Sequence, residues 1–96
     1  MSFLESVGIT ASTLEKVKEH NGEALLSDLY LNRFDAIEII KYFNSIGINV
    51  IDELLIYAVD VFFKNIDSVI LKIQQYGIPK FVETINNDYI EINNII

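Results

Sequence analysis

The chain has 96 residues, of which 51% are apolar; Lys plus Arg number 7 against 14 Asp plus Glu, so the formal charge is −7, and there is no Cys. This length admits one domain, 1–96, and a domain so short buries only about 60–65% of its unfolded surface. The missing cysteines exclude a disulfide framework and thiolate metal sites, the apolar content argues against intrinsic disorder, and the acidity argues against an electrostatic grip on DNA or RNA.

Three tripeptides punctuate the chain: Val7-Gly8-Ile9, Ile46-Gly47-Ile48 and Tyr76-Gly77-Ile78. Each follows a periodic apolar segment. Each has the form of a Schellman stop, with Gly in the left-handed position and Ile folded back onto the last turn. Thr10, Asn49 and Pro79 then open new helices, the first two as caps and the proline in a first turn. Ser12-Thr13-Leu14-Glu15 fits a capping box, giving a helix that runs to about His20 and ends at Asn21-Gly22. A short helix is predicted over Glu23–Leu31, apolar at Ala24, Leu25, Leu26, Leu29 and Tyr30. Asp35-Ala36-Ile37-Glu38 starts another, which buries Ile37, Ile39, Ile40 and Phe43 and leaves Glu38 and Lys41 wet.

Residues 50–64 read as one helix that is apolar nearly all round. At about 100° per residue, Glu53, Asp60 and Lys64 share one narrow strip. Such a helix must be surrounded by others, which predicts a central position. Asn65-Ile66-Asp67-Ser68 caps the next helix, which carries Val69, Ile70, Ile73 and Tyr76. After Pro79, the residues Phe81, Ile85, Tyr89, Ile92 and Ile96 recur at helical spacing. A hairpin turning at Asn86-Asn87-Asp88 competes, but no Gly supplies its turn, so helix is predicted. The expected architecture is all-α: a compact bundle of five or six short helices.

Two stretches look alike: Arg33-Phe34-Asp35-Ala36-Ile37, leading to Gly47-Ile48, and Asn65-Ile66-Asp67-Ser68-Val69, leading to Gly77-Ile78. Units of roughly thirty residues suggest stacked helical hairpins. The pattern resembles the repeats of the mitochondrial transcription termination factor family across about 37–92, resting on Gly47, Gly77 and the aliphatic residues around them. That resemblance implies stacked hairpins that hold a duplex. The repeat proline has no counterpart near Ala58 to Phe62, and generic helical hairpins share the remaining pattern, so no family is assigned on it.

No catalytic, metal or cofactor site is expected. Glu15, Glu19 and Glu23 recur every four residues beside His20, but there is no second His, and a solvated acidic face is the simpler reading. Asp52 and Glu53 point about 100° apart on a helix and do not converge, while Asp60 sits two turns away and is placed to pair with Lys64. With one His and no Cys, nucleophilic catalysis lacks a partner set. Tyr57, Phe62, Phe63, Tyr76, Phe81 and Tyr89 could stack bases, but interleaved cations are missing, so core packing is expected.

The apolar content exceeds what so small an interior needs. Phe62, Phe63, Ile90, Ile95 and Ile96 are therefore expected to form an interface, through self-association as a homo-oligomer or with a protein partner. The leading expectation is a small acidic, non-catalytic regulatory or protein-binding module; a sharper form occludes a basic nucleic-acid-binding surface. The alternative is a nucleic-acid-binding helical-repeat module, which needs Lys16, Lys18, Arg33, Lys41, Lys64, Lys72 and Lys80 on one face. The 17 Ile and 9 Asn, both favoured by AT-rich codons, suit a phage or mobile element of a low-GC bacterium. Met1 leads into Ser2, Phe3 and Leu4 without a basic region, and 50–63 falls short of the roughly 20 residues of a membrane span. A cytoplasmic location away from membranes is expected.

Overall fold

The chain turns where its glycines and caps direct it. The computed structural model describes residues 2–96, with side chains from residue 3 onward. Its α-helices are α1 (Ser2–Glu5), α2 (Ala11–Asn21), α3 (Glu23–Leu31), α4 (Arg33–Ile46), α5 (Ile51–Tyr57), α6 (Ile66–Tyr76), α7 (Ile78–Asn87) and α8 (Ile92–Ile95). Two 3-10 helices, Val59–Phe63 and Tyr89–Glu91, lie between them. No strand occurs among the described residues, so the class is all-α. Among the described residues there are eight α-helices rather than the expected five or six; the break in the tail adds α8, whereas the break within 50–64 turns its second half into a 3-10 helix.

The stop at Gly47 forms as its sequence requires. Gly47 lies in the left-handed region (φ 99°, ψ 20°), and its N–H donates to the Asn44 carbonyl. The Ile48 N–H reaches back to the Phe43 carbonyl at 3.0 Å, completing the Schellman pair. Gly77 behaves differently. Its φ is 105° but its ψ is 117°, so the backbone extends and α7 begins at once at Ile78. At α2 the cap is Thr10, whose hydroxyl accepts from the Thr13 N–H at 3.2 Å. The helix thus starts two residues before a Ser12 cap would have begun it. Asn65 caps α6 as expected, accepting from the Asp67 and Ser68 N–H groups.

Residues 50–64 are not one helix. Ala58 leaves the helical region (φ −137°, ψ 42°), and the chain continues as the tighter 3-10 helix. Val59, Asp60, Val61, Phe62 and Phe63 are all poor helix formers, β-branched or aromatic except for the aspartate, so little opposes the break. The 3-10 turn buries Val59, Val61 and Phe62 together. The strip of Glu53, Asp60 and Lys64 required one continuous helix, and the break dissolves it. The tail is broken likewise at Asp88, whose carboxylate accepts from the Ile90 N–H at 3.3 Å.

Each early stop frees backbone groups, and distant polar side chains take several of them up. The Ile56 carbonyl at the end of α5 accepts from Asn21 Nδ2 at 2.9 Å. The Phe62 carbonyl at the end of the 3-10 helix accepts from Asn32 Nδ2 at 3.1 Å. The Ile66 N–H at the start of α6 donates to Asp35 Oδ1 at 3.2 Å. Asn86 serves two groups, donating to the Gly47 carbonyl at 3.0 Å and accepting from the Asn49 N–H at 2.9 Å. Asn49 is therefore held by α7 rather than capping α5.

The core gathers around three fully buried phenylalanines. The Phe43 ring centroid lies 6.0 Å from Phe62 and 6.2 Å from Phe81. Leu54, Leu55, Ile73, Ile85 and Ile92 are fully buried as well. Each such side chain contributes roughly 1.5–3 kcal/mol of burial free energy. The radius of gyration is 12.5 Å, the value of about 12.5 Å expected for a compact chain of this length.

Candidate interaction surfaces

The largest uncovered apolar side chains sit where α3 meets α4. Asn32 bends the join without ending its hydrogen bonding: its N–H donates to the Asp28 and Leu29 carbonyls, and its carbonyl accepts from the Ala36 N–H. In α3 the buried residue is Leu29, so Leu31, about 200° further round, turns outward. In α4 the buried face runs through Ala36, Ile39, Ile40 and Phe43. Phe34 precedes Ala36 by two positions and likewise points away from it. Leu31 is 80% exposed, Phe34 74% and Tyr30 47%. The Tyr30 ring is held on two sides, by the Phe3 edge at 5.7 Å and by the Arg33 guanidinium 4.3 Å from its centroid. Arg33 is fixed there by a 3.0 Å bond from its Nη1 to the Tyr30 carbonyl.

A second, smaller feature lies at the ends of α2 and α5. His20 meets Tyr57 edge-on at 4.9 Å, and Tyr57 stacks on Tyr89 at 5.8 Å. Beside this ladder is an open hollow of about 290 Å³ lined by Lys16, Glu19, His20, Ile56 and Tyr57. Tyr57 is 50% exposed and Ile90 is 47% exposed.

The residues named from sequence scatter. Phe62 is fully buried against Phe43 and has no surface to offer a partner. Its burial follows from the 3-10 turn, which points it inward with Val61. Phe63 is half-buried against the core, as are Ile95 and Ile96. The Ile96 carbonyl accepts from Lys72 Nζ at 3.0 Å, which ties the tail to α6. Ile90 alone of the five is exposed. Reasoning from sequence missed Leu31 and Phe34. The signal was there: extending the buried rows of α3 and α4 at helical spacing leaves both without a neighbour.

The other singled-out groups do not converge. Asp52 and Asp60 are exposed on separate elements. Glu15 and Glu19 are exposed on α2, and Glu23 lies 3.9 Å from Lys18. Among the described residues, no three His, Asp or Glu side chains are grouped to hold a metal ion. No helix is long and apolar enough to cross a membrane among those residues. No protein-family model, curated protein or solved structure matches the chain.

Proposed function

We propose that the chain is a small non-catalytic module that binds a protein surface through the corner of α3 and α4. The observation that carries this reading is the exposure of Leu31 and Phe34, with Tyr30 beside them on a fixed ring. Three large apolar side chains within five residues make a local patch, and patches of this kind mark interfaces when they are contiguous. Aromatic anchors held rigid before contact lose little entropy on binding. The charge of −7 favours a partner with a basic face and disfavours self-association. A homo-oligomer through the same corner has to overcome that repulsion, and the dilution series below reads it separately from a basic partner.

The nucleic-acid reading draws less support. Lys18 faces Glu23, Lys41 faces Glu38, Arg33 and Lys80 lie on tyrosine rings, and Lys72 holds the Ile96 carbonyl. These cations are engaged locally, on four different helices, rather than gathered as a stripe.

The test pairs the wild-type chain with the double variant Leu31→Ser, Phe34→Ser. Sedimentation velocity across a dilution series reads self-association, and cross-linked capture compares proteins retained by each form. The reading expects a species, either a homo-oligomer or a specific partner, that the wild type forms and the double variant loses. Identical profiles for the two chains would refute the corner as a binding surface.

A further inference from the structure

Asn21, the last residue of α2, is followed by Gly22. That dipeptide is open to attack by the glycine nitrogen on the asparagine side chain, because no Cβ crowds the approach. In this reaction the Gly22 amide loses its proton and its nitrogen bonds to Asn21 Cγ. The Cγ–Nδ2 bond breaks, ammonia leaves and a cyclic imide remains. Water then opens the ring at either carbonyl, giving aspartate or isoaspartate. The sum is amide plus water to acid plus ammonia, with no redox partner.

The fold opposes every part of that approach. The Gly22 N–H donates to the Lys18 carbonyl at 2.8 Å. Asn21 Nδ2 donates to the Val17 carbonyl at 3.1 Å and to the Ile56 carbonyl at 2.9 Å. The side chain is thus drawn toward the end of α5. Attack requires these bonds to open together, and Asn21 to leave the helical backbone.

We propose that Asn21 is a gated deamidation site whose conversion is slow in the latched fold, proceeds through opening of the α2 end, and prevents the latch from re-forming. The product explains the last clause. An aspartate there turns an acceptor oxygen toward two carbonyl oxygens, which have no proton to share with it. Isoaspartate adds a methylene to the backbone at the same point. In either case the Ile56 carbonyl, freed by the break at Ala58, loses its partner.

The experiment uses the full chain. Folded and urea-denatured samples are incubated in one mildly alkaline buffer, and the peptide spanning Asn21 and Gly22 is followed by mass spectrometry with isoaspartate detection. Asn49 and Asn86, followed by Val50 and Asn87, serve as internal references. Asn21 should convert at least about tenfold faster in the denatured chain, the factor expected when hydrogen-bonded structure must open first. Asn21→Asp should unfold at lower urea than Asn21→Ala, since it adds an unmatched acceptor as well as removing a donor. Equal rates in the two states, no conversion in the denatured chain, or an Asn21→Asp chain as stable as wild type would each overturn the proposal. The rate comparison is made on wild type, so it stands even where Asn21→Asp does not fold.

Discussion

Asparagine does more in this protein than composition alone suggests. Asn21, Asn32 and Asn86 each reach a backbone group at least 30 residues away, and Asp35 does the same for the Ile66 N–H. A side-chain amide suits this task, since it offers donor and acceptor on one short, uncharged stem. Asn86 uses both ends, with the Gly47 carbonyl on one and the Asn49 N–H on the other. Asn86→Ala should lower stability by about 1–2 kcal/mol, read as a shift of the urea midpoint with the slope unchanged. Asn86→Asp should recover part of that loss, because it keeps the acceptor for the Asn49 N–H. These roles were invisible in the sequence. A local cap such as Asn65 announces itself by the helix that follows, whereas a long-range partner has no local pattern.

At the level of elements, the legible parts are those governed by near neighbours. The α3 span, the stop at Gly47, the cap at Asn65 and the preference for helix after Pro79 all follow from periodicity and turn chemistry. The break at Ala58 does not. Residues 50–64 satisfy helical periodicity at almost every angle, and so constrain no particular register. The split decides which phenylalanine is core and which is rim. Phe62→Ala should cost about 3–5 kcal/mol, enough to unfold much of a small domain, because it opens a cavity beside Phe43. Phe63→Ala, half-buried at the rim, should cost markedly less. Thermal melts of the two variants check this directly, and equal losses would contradict the 3-10 geometry. The interface expectation failed at Phe62 for this same reason, and it passed over Leu31 and Phe34, which lie off the buried rows of α3 and α4 and were legible from helical spacing.

For the whole molecule, excess negative charge acts on folding as well as on binding. Among the described residues, the ion pairs of Lys18 with Glu23 and of Lys41 with Glu38 are both 3.9 Å long and exposed. Such pairs add little, while self-repulsion favours the expanded chain. Raising monovalent salt from about 0.01 M to 0.15 M shortens the screening length from about 30 Å to about 8 Å. The melting temperature should therefore rise over that range, measured by circular dichroism at constant pH. A fall would show that attractive pairs outweigh the repulsion.

The side-chain ties between helix ends also bear on the order in which structure is assembled. They join groups 30 to 39 positions apart in the chain. Closing a loop of that length costs entropy that a single hydrogen bond does not return, so no tie can form ahead of the packing that brings its ends together. Local turns and caps can appear while the chain is still open. The ties arrive last and act as latches on a globule already collapsed, which makes them devices for keeping the native state rather than for finding it.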